Sequence, residues 1–406
     1  MSERPVSGTR PCVLLCVTGC IAAYKSCEIL RQLQKSGCSV KVLMTEHATE
    51  FVGPVTFRAL TNEPVAIGLF DDPSDPIHHI SLAQEADLVL VAPATANVIA
   101  KMAHGIADDL MSTTLLATRA PILVAPAMNT AMWDAAATRE NVAALRDRGV
   151  RFIGPDSGHL ACGGTGTGKL APVDEVADAA LALLRQGYRS DELTGEHVLV
   201  TAGGTREAID PVRFLGNRSS GRFGYAIARA ARNLGAQVTL VSAPSSLAVP
   251  MEVETVQVES AREMFDAVSE RFDDATMFIS AAAVADYAPI HTADHKLKKA
   301  DEHLDAIELA ETPDILKAMS VRKGERVVVG FAAETGDAVR RAREKLARKG
   351  CDAIVANDVA RADSTFGSAT DAVNWITADG VEPLPLMDKR DAAYEILLRA
   401  CGLKRT

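Results

Sequence analysis

Continuous apolar runs along this chain alternate with longer stretches whose apolar residues recur at helical spacing, and the alternation starts twice. Cys12 to Val17 is an apolar run ending in the turn Thr18-Gly19. A helical stretch, Ile21 to Ser36, and a second run, Ser39 to Met44, follow it. Much later His197 to Ala202 runs into Gly203-Gly204. Gly224 to Leu234 then reads as a helix and Gln237 to Ser242 as the next strand. Fully buried parallel strands read as unbroken apolar runs, so each start is a strand–helix–strand opening of a parallel sheet. Ala86 to Pro93 and Ala120 to Pro126, each ending in Ala-Pro, add strands to the first half. Met277 to Ser280, Val327 to Gly330 and Ala353 to Ala356 add them to the second.

This pattern predicts two doubly wound α/β domains, Rossmann-like or flavodoxin-like, with mainly parallel sheets. The polar segment Arg185 to Glu196 follows an Ala/Leu-rich helix and places the boundary, giving domains 1–190 and 191–406. A length of 406 residues fits two domains. Neither opening has a clean G-x-G-x-x-G, so a standard NAD site is not supported. A net charge of −10 argues against a general nucleic-acid binder. No run reaches the roughly 18 apolar residues of a membrane span, and the polar start lacks a signal-peptide layout. Of eight cysteines, five crowd into the first 38 residues without a C-x-x-C pair, which reads as packing in a reduced, cytoplasmic setting.

Pro155 to Lys169 breaks the apolar pattern, with five glycines and Cys162 in fifteen residues. It predicts a mobile loop, a lid carrying a thiol over a bound substrate. Gly163, Gly168 and Lys169 imitate a P-loop, but Leu170 stands where a Ser/Thr must hold magnesium.

Ligands bind open parallel sheets at the carboxyl ends of the strands. Thr18, Pro93 to Asn97 and Pro126 to Asn129 are therefore expected to share one crevice. Thr18, Gly19, Thr95, Asn97 and Ser112 offer hydroxyl, amide and backbone N–H groups, which suit a phosphate and a polar ring better than a metal. His78 and His79 lack a Cys, Asp or Glu partner at ligand spacing. His79 alone could equally be a helix-start residue, and Asn129 a turn residue. The set His79-Ile80, Ala92 to Asn97, Pro126-Ala127-Met128-Asn129 and Ala161-Cys162-Gly163 strongly resembles the flavin-dependent cysteine decarboxylases, especially those acting on phosphopantothenoylcysteine. The resemblance implies FMN held by Thr18, Gly19, Pro93, Ala94, Thr95, Asn97 and Ser112. It implies oxidation of the thiol-bearing carbon, loss of CO2 with charge delocalised onto sulfur, and re-reduction. Cys162 would donate a proton, His79 act as base or electrostatic partner, and Asn129 orient the substrate carboxylate. Cys20 and Lys169 depart from the Ser/Gly and Arg common in that family.

In the second half, Asn217-Arg218-Ser219-Ser220-Gly221 opens a helix and makes a plausible anion site. Lys296 to Lys299 is a charge run whose ordinary meaning is a solvated face. These pieces, with Ala282 to Asp286, Gly330 to Thr335 and Ala356-Asn357-Asp358, resemble the phosphopantothenate–cysteine ligases. Both resemblances together cover nearly the whole chain in the order of bacterial bifunctional enzymes. They imply that 4′-phosphopantothenate attacks CTP with Mg2+, giving an acyl-cytidylate from which cysteine displaces CMP. Lys296, Lys345 and Lys349 would clamp the triphosphate. Asp286 would hold the ribose or cytosine end or join the metal environment, and Asn217 would hold the acyl-cytidylate carbonyl. Ser280, Ala281, Ala282, Pro313, Asp314, Ile315, Leu316 and Phe331 fall on nucleotide-contacting segments; the metal ligands stay unassigned. The resemblance further implies a homo-oligomer, a dodecamer of trimers joined through dimers, acting on small molecules without nucleic acid or membrane. Two alternatives share the first half: a peptidyl-cysteine decarboxylase, which the ligase half opposes, and a phosphatase-binding flavoprotein, whose acidic tail is not matched by Gly402 to Thr406.

Overall fold

The computed structural model describes residues 10–71, 74–161, 163–184, 192–298, 306–334, 336–358 and 370–404. Cys162, Lys299 and Thr335 lie outside the described residues. The chain divides into two compact units, Met1–Tyr188 and Arg189–Thr406.

In the first unit β1 (Cys12–Val17), β2 (Ser39–Met44), β3 (Val65–Ala66), β4 (Leu88–Ala94), β5 (Ile122–Pro126) and β6 (Arg151–Phe152) form one sheet. Its order is β3-β2-β1-β4-β5-β6, with every pairing parallel. The winding therefore reverses between β1 and β4, where such sheets leave a crevice for ligands. The predicted helix after β1 begins as a 3-10 turn, Ile21–Tyr24, and continues as the α-helix Lys25–Lys35. Ser26, Ile29, Leu30 and Leu33 form its buried face at three- and four-residue spacing. Leu14, Leu15 and Leu90 lie fully inside the sheet layer. Truncating any of them to Ala costs about 2–5 kcal/mol.

The glycine-rich stretch is not a structureless loop. Asp156–His159 (β7) and Thr165–Lys169 (β8) form an antiparallel hairpin. The hydroxyls of Ser157 and Thr167 meet across it at 2.9 Å, and Asp156 faces Lys169 at 3.7 Å. Polar cross-strand pairs and flexible glycines hold this ladder, so no alternation of apolar residues announces it.

The second unit repeats the winding. β9 (His197–Ala202) leads through the hairpin β10 (Arg206–Ala208) and β11 (Phe214–Gly216) to β12 (Gln237–Ser242), β13 (Glu254–Gln257) and β14 (Met277–Ser280). The hairpin β15 (Tyr287–Pro289) and β16 (Leu309–Glu311) precedes β17 (Val327–Glu334) and β18 (Ala353–Asp358). β19 (Thr370–Asp371), β20 (Val373–Ile376), β21 (Val381–Pro383) and β22 (Met387–Asp388) end the series. The main sheet runs β13-β12-β9-β14-β17-β18-β20-β21. It is parallel as far as β18, and β20 and β21 close it antiparallel. The helix after β9 starts at Arg222, two residues before the predicted Gly224, because Gly221 takes the left-handed conformation (φ 77) at its N-cap. Gly224 lets that helix lie on β9: an added Cβ would come within 2.5 Å of Ala202 Cβ and 2.8 Å of Thr201 O.

Candidate functional site

In the first unit the expected strand-end loops do meet, through a chain of hydrogen bonds. The buried Thr18 hydroxyl donates to the Pro93 carbonyl (2.7 Å) and accepts from the Thr95 N–H (3.0 Å), stapling the ends of β1 and β4. The Ala127 N–H donates to the Ala94 carbonyl (3.0 Å), adding the end of β5. The Met128 N–H donates to the Gly168 carbonyl (2.9 Å), anchoring the β7–β8 hairpin to the same place. Gly19 and Asn97 flank this crevice, and Gly19 presses so close to His47 that a Cβ would lie 2.5 Å from His47 Cβ.

Three predicted residues differ in detail. Thr18 has spent its only donor on Pro93 and one of its two acceptor positions on Thr95, so it serves chiefly to fix position. Ser112 is 5% exposed and engaged in a capping box with Asp109, its Oγ 2.8 Å from Asp109 Oδ1. Asn129 is the N-cap of Thr130–Asp134: its Oδ1 accepts the Ala131 N–H at 2.8 Å, which fixes the amide plane. His79 lies in the first turn of the helix His78–Glu85. Its Nδ1 is buried with no hydrogen-bond partner among the described residues, as is Thr130 Oγ1. Orphaned buried polar atoms cost free energy unless a ligand or water meets them. With the neutral donors at the strand ends, they fit a polar, phosphate-bearing aromatic cofactor.

In the second unit a cavity of about 650 Å³ opens at the carboxyl ends of the central strands. It is lined by the predicted Asn217, Ser280 to Ala282, Asp286, Pro313 to Leu316, Phe331, Lys345 and Lys349. Its floor, the loop after β14, is fixed by three hydroxyls. Thr201 and Thr205 accept the N–H groups of Ala282 (3.2 Å) and Ala285 (2.9 Å), and Thr312 donates to the Ala285 carbonyl (2.5 Å). Asn217 Nδ2 donates to the carbonyls of Ala283 (3.3 Å) and Val284 (3.0 Å), so the amide donor assigned to a ligand carbonyl is already engaged with the loop. The Phe331 ring meets Phe223 edge-on at 5.0 Å. Lys345 Nζ donates to the Phe331 carbonyl at 2.6 Å, while Lys349 pairs with Asp314, the N-cap of Ile315–Val321. Burial, then the neighbouring Lys349, lowers the Lys345 pKa below the ordinary lysine value. Burial works to raise the Asp314 pKa, but the Lys349 ammonium and the Lys317 N–H bring it below the usual carboxylate value.

Lys296 is the exception among the predicted lysines. It is exposed and does not line the cavity. Its neighbour Leu297 is tied away on the β10–β11 hairpin, donating N–H to Asp210 (3.2 Å) and accepting from Arg213 (3.0 Å). The buried Asp210 carboxylate also accepts from Val212 N and Arg213 N at 2.8 Å each, and the Arg213 guanidinium holds its pKa well below the usual range. Asp371 and Lys389, which the sequence did not single out, do line the cavity. Among the described residues no cluster of His, Cys, Asp or Glu is arranged to hold a metal ion. Magnesium characteristically arrives with substrate phosphates and takes only one or two carboxylates. The lining carboxylates Asp286, Glu311 and Asp314 fit that mode.

Two like-wound sheets, one with a neutral strand-end crevice and one with a cation-lined cavity, define a two-domain α/β flavoprotein. Residues 1–185 match the family model described as Flavoprotein, and residues 193–402 that described as DNA/pantothenate metabolism flavoprotein C-terminal domain. The coenzyme A biosynthesis bifunctional protein CoaBC of Bacillus subtilis (strain 168) is 47% identical over 396 residues, 97% of each chain. The protein of the same name from Vibrio vulnificus (strain CMCP6) is 45% identical over 389 residues, 95% of this chain and 96% of its own. A crystal structure of the C-terminal domain of a CoaBC protein covers 53% of this chain and 98% of its own, at 43% identity and a TM-score of 0.46. The chain belongs to the coenzyme A biosynthesis bifunctional proteins. It is a CTP- and Mg2+-dependent phosphopantothenate–cysteine ligase and an FMN-dependent phosphopantothenoylcysteine decarboxylase, with 4′-phosphopantetheine as its final product.

Proposed function

We propose that the second unit forms the amide and the first removes CO2, with the strand-end residues of each carrying the chemistry. What carries this reading is the separation of two sites of opposite character: the neutral crevice beside the orphaned His79 Nδ1, and the cation-lined cavity at Phe331, Lys345 and Lys349.

In the second unit the carboxylate of 4′-phosphopantothenate attacks the α-phosphate of CTP, releasing pyrophosphate. The amine of cysteine then adds to the acyl-cytidylate, and CMP leaves. Lys345 and Lys349 stabilise the charge that develops on phosphate oxygens, and Asp286 sits at the ribose or metal end. Lys296 contributes only through a rearrangement of its loop, since its resting position is outside the cavity.

In the first unit the Gly19 backbone, the Thr95 hydroxyl and the Asn97 amide hold FMN and Pro93 and Ala94 shape the strand end against it, while Thr18 and Ser112 fix the strand-end and helix geometry. Bound flavin supplies a reversible two-electron oxidation of the thiol-bearing carbon. The neutral Asn129 amide orients the substrate carboxylate; a cation there would stabilise the carboxylate against leaving. His79 faces the thiol as base or electrostatic partner. Cys162 returns a proton to the carbon.

The likeness to bacterial bifunctional enzymes supports a homo-oligomer, a dodecamer in the fullest form; large apolar side chains are also exposed singly on both units. They include Val55 (77%) and Phe70 (83%) in the first unit, and Phe214 (50%) and Tyr287 (49%) on the hairpins of the second. No described helix is long and apolar enough to cross a membrane.

The test is mass spectrometry of products from 4′-phosphopantothenate, cysteine, CTP and Mg2+. Wild type yields phosphopantetheine, CMP and pyrophosphate. Cys162→Ser keeps its yellow colour and releases CO2 but slows the final step about 10²–10⁴-fold; a full yield of phosphopantetheine refutes the donor role. Asn217→Asp weakens amide formation and spares decarboxylation of supplied phosphopantothenoylcysteine; equal loss of both refutes the division of labour.

A further inference from the structure

The ligase cavity carries a buried ammonium that the reading above does not use. β19 pairs antiparallel with β22, Asp371 opposite Met387, and the helix Lys389–Lys404 begins directly after β22. This register brings Lys389 Nζ to 3.8 Å from Asp371 Oδ2, with the two side chains 8% and 1% exposed. Asn357 Nδ2 donates to the same carboxylate oxygen at 3.3 Å. All three residues, together with Arg222, line the cavity. Burial pushes the Lys389 amine below the ordinary lysine range; Asp371 opposes that and the Arg222 charge adds to it.

A buried ion pair is a weak device for stability, since an apolar pair of the same size generally serves a fold as well. Here the pair borders a polar cavity rather than the core. A second cation, Arg222, stands close by at the first turn of the twelve-residue helix Arg222–Asn233. With Asp371 behind Lys389, the Arg222 charge adds positive potential to this wall of the cavity, and a helix start favours an anion in the same place.

We propose that Lys389, oriented by Asp371, binds a phosphate group of a ligase substrate. This rests on reading the cavity as the ligase site. Two substrates carry that chemistry, the triphosphate of CTP and the phosphomonoester of 4′-phosphopantothenate. In either case the ammonium meets phosphate oxygen as a point charge, and Asp371 holds it in place from behind.

The experiment uses the full chain. Steady-state ligation is measured against CTP, 4′-phosphopantothenate and unphosphorylated pantothenate, with inorganic pyrophosphate as product inhibitor. Decarboxylation of supplied phosphopantothenoylcysteine serves as the internal control. Lys389→Met raises one of the two phosphate-substrate KM values about ten- to a hundredfold, and Lys389→Arg recovers most of the loss. If the CTP value moves and pyrophosphate inhibition weakens, the nucleotide is the source. If the phosphopantothenate value moves and its preference over pantothenate collapses, the phosphomonoester is the source. KM values within twofold of wild type overturn the proposal, as does a fall in kcat alone without rescue by Arg. Should Lys389→Met misfold by stranding Asp371, the double variant Asp371→Asn/Lys389→Met removes both charges and takes the same readings. A wild type that makes no phosphopantothenoylcysteine would instead refute the ligase reading itself.

Discussion

Both units wind their sheets in the same order and place their sites after the first and fourth strands, yet the two sites share almost no chemistry. The first is closed by neutral staples, Thr18 to Pro93 and Thr95, with an orphaned imidazole nitrogen at His79. The second is crowded with charge: Arg222, Lys345, Lys349 and Lys389 against Asp286, Asp314 and Asp371. Topology fixes where a ligand lands, and the loop side chains decide what happens to it. A decarboxylation needs its carboxylate left unneutralised, whereas a nucleotidyl transfer needs its phosphates met by cations.

The comparison breaks first at the glycines on which each site is built. Gly224→Val forces a side chain into β9, where even a Cβ meets Ala202 at 2.5 Å, and costs about 3 kcal/mol, the upper end for overpacking. Calorimetry should show only the transition of the second unit falling, with ligation lost and flavin retained. Gly19→Ala should do the reverse, removing flavin while ligation persists, as read by the visible spectrum and CMP release. If either glycine variant abolishes both activities, the two sites are not independent. A smaller effect follows from Thr18→Val, which removes one donor and one acceptor from a buried staple. About 1–3 kcal/mol of stability in the first unit is lost, with weaker flavin retention on gel filtration. The smallest is a pH effect. Lys345 loses its charge as pH rises through a pKa already lowered by burial and by Lys349. Lys349→Met removes the like charge, so the alkaline limb of the ligation profile moves to higher pH, while that of decarboxylation stays where it was.

Much of the scaffold was legible in the residues because buried parallel strands need unbroken Val, Leu and Ile. The runs Ser39–Met44, Gln237–Ser242 and Met277–Ser280 have the expected bounds. The β7–β8 hairpin was not legible: its ladder is built from Ser, Thr and Gly, which carry no period-two apolar signal. Nor were Asp371 and Lys389, single charges brought into the cavity by the β19–β22 pairing, an effect of distant register with no local mark. Lys296 shows the converse. Its lysine-rich run reads as a solvated face and only the ligase resemblance gave it a triphosphate role; the Asp210 and Arg213 bonds to Leu297 keep its segment on the β10–β11 hairpin. The role of Cys162 was read from composition and family likeness, and it lies outside the described residues.

Asn217 already holds two peptide carbonyls, at 3.3 and 3.0 Å. Were Asn217 to meet the acyl carbonyl as proposed, an incoming neutral carbonyl would exchange one acceptor for another of equal strength, and the balance of such a swap is close to zero. An oxygen that has gained negative charge, as when an amine adds to an activated acyl group, is the stronger acceptor and wins the exchange. A donor occupied at rest in this way is indifferent to the resting ligand and responsive to the activated one, and discriminates in time rather than in space.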